Sequence, residues 1–383
     1  MTRPLFVNHA SAIAGAELIL IDALQSWPGA SVFLFDHGPL ETVLADQNFE
    51  VTISHWGGGK LATMRRDTDA LRALPLLMRF SAITLELAKA ALGHDVIYAN
   101  SQKAFVVAAI ASALVRKPLI WHLHDIISAA HFGKSQRRLQ ITLANRRAAR
   151  IIVPSPAAAD AFIAEGGRPG LVTVVPNGLN MALDSRSKAD IRAELALPEG
   201  PLVGVFSRLA AWKGQHVLLQ ALKSLHGVRC IVAGEALFGE QAYADHLNDL
   251  AAEADLAGRV LFLGPRSDVP LLMQAVDVMV HPSIHPEPFG RTLVEAMLAG
   301  TPVIASDAGA CREILDGGKA GTLVPPNDPR ALADALTAVL ARPSGLDAQL
   351  RYATERAKSF YGADAMRAAI STIITDVAKE ARH

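Results

Sequence analysis

Cysteine is scarce in this chain of 383 residues: Cys230 and Cys311 are its only two. Two cysteines supply neither a disulfide framework nor a thiolate metal set, and they fit a reducing compartment. Aromatic residues are also few, with 4 Trp, 4 Tyr and 13 Phe, which argues against a long stacking platform for a polysaccharide or a single nucleic-acid strand. Net charge is absent, since 37 Lys and Arg balance 37 Asp and Glu. The small excess of base in residues 1–180 is matched by an excess of acid in 181–383, a pattern that does not suit duplex DNA. Long apolar runs are missing too. AFVVAAIASALV at 104–115 falls short of the ~20 residues a bilayer span needs. The opening MTRPLFVNHASAIAG lacks an unbroken signal core. The expectation is a cytoplasmic protein with no nucleic-acid partner.

Half of the residues are apolar, and the length suits about two domains of ~150–200 residues. Short β-rich runs alternate with helix-length segments, from PLFVN (4–8) through PLIWHLH (118–124) to GTLVP (321–325). Strands apolar on both faces, each followed by a helical stretch, predict parallel sheets covered by helices. NGLNMALDSRSKAD (177–190) is polar and turn-rich, and serves as the linker. The fold class is therefore α/β: two Rossmann-like, doubly wound domains, 1–180 and 181–383, facing each other across a cleft. Beyond residue 329 the pattern is helical, and these terminal helices have the option of crossing back to the first domain.

No G-x-G-x-x-G follows the first strand, and GGGK at 57–60 has the wrong spacing for dinucleotide binding. The informative stretch is HPEPFGRTLVEAMLAG, 285–300, which places Glu287 in a Pro-rich loop and Glu295 inside an apolar helix. On a helical wheel Arg291, Thr292 and Glu295 share one arc of about 100°. A polar stripe of this kind also suits a helix that simply meets water. Here, however, the helix starts beyond a strand's carboxyl end, where open α/β sheets bind ligands, and its free N–H groups favour a phosphate. In FSRLAAWKG, 206–214, Arg208 and Lys213 reach the same edge. Basic residues at a helix start oppose the macrodipole, and a diphosphate would explain them.

Taken together, HASAIAGAE, WHLHD, FSRLAAWKG and EPFGRTLVEAMLAGTPVIAS followed by DAG resemble a retaining glycosyltransferase of family 4 with the two-domain GT-B architecture. The Glu-x7-Glu segment is the specific part, and the order of the segments holds over nearly the whole chain. The resemblance implies transfer of a sugar from a nucleotide-diphosphate sugar to an acceptor hydroxyl with retention of configuration. It implies that Arg208 and Lys213 clamp the diphosphate, aided by amides near Phe289, Gly290, Arg291 and Thr292. Glu295 would hold the ribose hydroxyls, Glu287 would face the transferred sugar, and Arg266 would lie near the base. From the first domain Gly15 would admit the phosphates and His124 would reach the donor sugar. Two departures stand out. Ala14 precedes Gly15 where paired glycines are common, and Ser207 stands where glycine is usual.

The same resemblance implies no cofactor and no metal. DTD at 67–69 follows Met64-Arg65-Arg66, and acids in the first turn of a helix are explained by its dipole. Another GT-B reaction on a nucleotide sugar, or a binding subunit without turnover, stays open. So does the acceptor, whether a glycan, a lipid-linked chain or a small molecule. Arg65, Arg72 and Arg79 recur every seven residues beside Met64, Leu71 and Met78. That pattern fits either packing on a sheet or peripheral contact with an anionic membrane.

Overall fold

The computed structural model describes residues 2–57, 70–237 and 239–382. It divides into two units, Met1–Gly178 with Ala363–His383, and Leu179–Gly362. The sequence boundary at 180/181 thus lies two residues late, and the last helix belongs to the first unit.

Among the described residues the first unit holds seven parallel strands: β1 (Pro4–Asn8), β2 (Ser31–Leu34), β3 (Glu50–Ile53), β4 (Val96–Ala99), β5 (Leu119–His122), β6 (Ala148–Val153) and β7 (Val172–Val174). Their order is β3-β2-β1-β4-β5-β6-β7. The second unit holds six: β8 (Leu202–Phe206), β9 (Arg229–Ala233), β10 (Val260–Gly264), β11 (Val278–His281), β12 (Val303–Ser306) and β13 (Thr322–Val324), in the order β10-β9-β8-β11-β12-β13. All pairings are parallel, β1 with β2 and β4, and β8 with β9 and β11, for example. Both sheets are the doubly wound arrangement read from the sequence.

Strand side chains alternate between two cores, as the pleat requires. Leu5 and Val7 face one apolar cluster while Phe6 faces another. In the second sheet Leu202 and Phe206 oppose Val203 and Val205 in the same way. The final helix, Ala363–Glu380, sends Met366, Ile370, Ile374 and Val377 into the cluster that holds Phe6, Leu20 and Tyr98. It closes one face of the first sheet.

Each sheet reverses its strand order at one place, between β1 and β4 and between β8 and β11. The loops leaving these strands splay in opposite directions and leave a crevice at the carboxyl ends. Several strands also stop earlier than the sequence reading ran them. β5 ends at His122, β8 at Phe206 and β11 at His281, so His124, Ser207 and Ser283 are loop residues at sheet edges. Residues 58–69, including the DTD triplet and Arg65, lie outside the described residues.

Candidate functional site

In the second unit, the loops after β8 and β11 meet through a buried ion pair. Lys213 closes a short 3-10 turn, Ala211–Lys213, and Gly214 caps the helix Gln215–Leu222. Lys213 therefore precedes the helix rather than opening it. Gly214 has φ 71°, and a Cβ there would stand 2.0 Å from the Pro282 carbonyl oxygen. Only glycine permits this approach, and it brings the Lys213 turn against the loop after β11.

Lys213 Nζ donates to Glu287 Oε1 at 2.6 Å. The other carboxylate oxygen, Oε2, accepts from Ser283 Oγ at 2.9 Å and lies 3.1 Å from His281 Nε2. His281 Nδ1 in turn lies 3.2 Å from Thr292 Oγ1. Glu287 is 4% exposed. Burial alone would raise its pKa, but the Lys213 charge and the His281 contact overcome that and hold the carboxyl far below its ordinary range. Glu287 is therefore ionised, pre-aimed and almost dry.

The two cations share a platform. Lys213 Nζ lies 4.1 Å and the Arg208 guanidinium carbon 5.5 Å from the centre of the Trp212 ring. An aromatic face attracts cations, and the indole lets two like charges lie near one another. Gln215, 1% exposed, fixes the loop from below. Its Nε2 donates to Ser207 Oγ at 2.8 Å and to the Arg208 carbonyl at 2.9 Å. Ser207 thus takes up a bond where a glycine could not.

Beside this group starts the helix Arg291–Leu298, with Gly290 at its N-cap, φ 85°. Leu293, Val294, Ala296 and Met297 are its buried face. Arg291 Nε donates to Glu295 Oε1 at 2.8 Å. Burial raises the Glu295 pKa, and Arg291 offsets part of that. The first amides of a helix have no intrahelical acceptor, so this end offers donors as well as a positive pole. Phe289 is buried edge-on against Tyr361, ring centres 5.7 Å apart, so it offers a ligand only its backbone.

Arg266 stands apart. It follows β10, the edge strand of its sheet, and pairs with Asp268 through Nε at 2.7 Å. In the first unit, Gly15 begins the helix Gly15–Leu24, and a Cβ there would meet nothing within 4 Å. The fold itself gives no reason for glycine at that place. His124 follows β5, with Nε2 2.9 Å from Asn100 Oδ1 and its ring centre 3.9 Å from that of His122. Burial pushes its pKa down to about 3.

The structure therefore gathers Lys213, Glu287, Thr292 and Arg208 within one constellation, with the Arg291–Glu295 pair on the adjoining helix. The sequence reading missed Trp212, Gln215, His281 and Ser283. Their one signal was position: His281 and Ser283 lie at or just past the end of a strand, and Trp212 and Gln215 in the segment that leads from a strand into the next helix.

Two doubly wound units in succession, the second with fixed cations and a helix N-terminus at its switch point, define the GT-B class of glycosyltransferase. Residues 187–358 match the family model described as glycosyl transferases group 1, and residues 40–178 match a glycosyl transferase 4-like domain. The chain belongs to this family. Among solved structures, Anabaena Alr3699/HepE in complex with UDP-glucose superposes with a TM-score of 0.88 and 36% identity, over 98% of this chain and 100% of that one. The lipopolysaccharide core biosynthesis mannosyltransferase LpsB of Rhizobium meliloti is 33% identical over 47% of this chain and 55% of its own length. The D-inositol 3-phosphate glycosyltransferase of Mycobacterium marinum is 35% identical over 50% of this chain and 42% of its own. The chain spans about half the length of the curated relatives it matches.

Proposed function

We propose that this protein transfers a sugar from a nucleoside-diphosphate sugar to an acceptor hydroxyl, with retention of anomeric configuration and without a metal. The observation that carries the reading is the Lys213–Glu287 pair, placed with Arg208 around Trp212 at the switch point of the second sheet. Departure of a nucleoside diphosphate builds negative charge on the leaving oxygens. Preorganised donors lower the barrier most where charge develops. Lys213 has three N–H donors, and Glu287 takes one. The others, the Arg208 guanidinium and the amides at Gly290, Arg291 and Thr292 are the groups for the diphosphate. Glu295 suits paired ribose hydroxyls, and Arg266, after the edge strand, would approach the base. His124 and Gly15 are the first unit's contribution to the donor. In this mechanism Glu287 orients and stabilises the sugar at the anomeric carbon without bonding to it.

UDP-glucose is the first donor to try, because the Anabaena protein was solved with it. A nucleotide at 100 times its Kd is expected to stabilise the protein by about 2.7 kcal/mol, read as a rise in Tm. Arg208→Ala should remove that rise. Transfer to an acceptor in the presence of EDTA, with the anomeric configuration read by NMR, completes the test. Absence of stabilisation by UDP, GDP and ADP sugars alike would sink the reading. Binding without transfer to any acceptor would instead make the protein a binding subunit.

We also propose a lipid-linked or membrane-proximal glycan acceptor and peripheral contact with an anionic membrane. No helix of the described residues is long and apolar enough to cross a membrane. The helices Ala70–Ala91, Gln102–Val115 and Lys134–Arg147 carry between them a single acidic residue, Glu86, which is turned to Ser54 and His55. Met78, Leu85, Leu92, Leu114 and Leu139 are at least half exposed on or beside them, with Lys89, Arg116 and Arg138 exposed nearby. Apolar and basic groups on one helical layer suit anionic lipid. The protein should float with anionic liposomes at low salt and be released as salt shortens the Debye length. No flotation at low salt would refute the contact.

A further inference from the structure

The first unit contains a polar chain that the reading above does not use. Asn8 ends β1 and Asn100 follows β4, the two strands between which the sheet reverses, and both are 0% exposed. Glu17 joins them from the helix Gly15–Leu24 and is 5% exposed. Burying two amides and a carboxyl is costly unless each is bonded, and here the bonds run in one direction.

The polarity of every link follows from groups that only accept. Asn8 Nδ2 lies 2.8 Å from the Ala10 carbonyl oxygen and 3.1 Å from Glu17 Oε1. This places its amide nitrogen, so Asn8 Oδ1 faces Asn100. Asn100 Nδ2 donates to that oxygen at 3.3 Å and to the Ala16 carbonyl at 3.1 Å. Asn100 is then left with Oδ1 toward His124 Nε2, at 2.9 Å. An amide oxygen only accepts, so His124 carries its proton on Nε2. The lone pair therefore lies on Nδ1. Glu17 anchors the far end, where its Oε2 also accepts from the Ala14 amide at 3.2 Å.

We propose that Glu17, Asn8 and Asn100 are positioning residues that lock His124 in the neutral Nε2–H tautomer, leaving Nδ1 as a fixed acceptor for a hydroxyl of the transferred sugar. The identity of that ligand rests on the glycosyl-transfer reading, while the tautomer lock does not. Burial keeps the ring neutral, and burial likewise holds its neighbour His122, tilted 39° against it, uncharged. His122 is anchored by its own contact, Nδ1 to Tyr98 Oη at 2.6 Å. A neutral imidazole that cannot exchange its donor and acceptor sides selects for a donor hydroxyl and against an anion.

Histidine labelled with nitrogen-15 reports the tautomer directly, and His124→Gln assigns the signal. In the wild type the proton is expected on Nε2, with no titration through the ordinary histidine range near about 6.5. In Asn100→Ala the Nδ1–H form should appear. The same variant should raise KM for UDP-glucose roughly three- to tenfold, the worth of one hydrogen bond, with affinity for UDP alone unchanged. A wild-type proton on Nδ1, a wild-type ring that titrates near neutrality, or an unchanged tautomer in folded Asn100→Ala would overturn the lock. The wild-type spectrum decides the matter even if the variant does not fold. A locked tautomer in a protein that binds no nucleotide sugar would overturn the proposed ligand and leave the lock in place.

Discussion

Lys213→Ala is expected to cost both stability and turnover, and more than any other single change in the second unit. The ammonium lies 2.6 Å from Glu287, with side-chain exposures of 13% and 6%. Removing it leaves a carboxylate buried without its counter-charge, which typically destabilises by about 3–5 kcal/mol, less whatever protonation of Glu287 recovers. It also takes one cation from the place where the diphosphate would develop charge, a loss of about 10²–10³ in rate when one such donor is deleted. Denaturant unfolding and kcat/KM with UDP-glucose measure the two effects separately. The double variant Lys213→Ala/Glu287→Gln should regain much of the stability and none of the turnover, because the stranded charge is gone but the clamp is still incomplete. Turnover within threefold of wild type in Lys213→Ala would remove Lys213 from the mechanism.

Glu287→Gln is the reciprocal case, with a pH signature. The folded-state pKa of Glu287 is depressed from an ordinary 4.5. Such a group adds stability that is fully present above the ordinary value and is lost as pH falls toward the folded one. The wild type should therefore be more stable than Glu287→Gln at neutral pH, and the gap should narrow in acid below about 4.5. Equal stability of the two at pH 7 would contradict the ion pair. The amide keeps the shape but loses the charge that the proposed mechanism sets beside the anomeric carbon, and turnover should fall about 100-fold or more. A kinetically competent glycosyl adduct on Glu287 would show that it acts as a nucleophile instead.

The fold was legible because parallel strands are buried on both faces, so PLFVN and VMVH announce themselves as unbroken apolar runs. Glu295 was legible for a related reason: a carboxylate in phase with Arg291 marks the one polar side of an apolar helix. The partnership of Lys213 with Glu287 was not. Their separation is 74 residues, and each seemed to have its own ligand until the two loops met at the reversal point. Asn8, Asn100 and His281 were hidden inside strand runs, where a polar residue at the last position looks like a strand end and nothing more. The stripe along Ala363–Glu380 fits any apolar surface of the right width, so its assignment to the first unit needed three dimensions. Residue type marks where a group is buried, but not across which distant loop it is paired.

The division of the chain has a consequence for its birth on the ribosome. Leu179–Gly362 is one uninterrupted stretch, and its two ends are tied where the Leu179 amide donates to the Tyr361 carbonyl at 2.8 Å. That half can finish as soon as its last residue leaves the exit tunnel. The opening half cannot: one side of its sheet, covered in part by Ile19, Leu20 and Leu24, stays incomplete until Met366 to Val377 have been made. Domains usually mature from the N-terminus onward during synthesis. Here the order is inverted, because the second half can be completed while the first still lacks its closing helix.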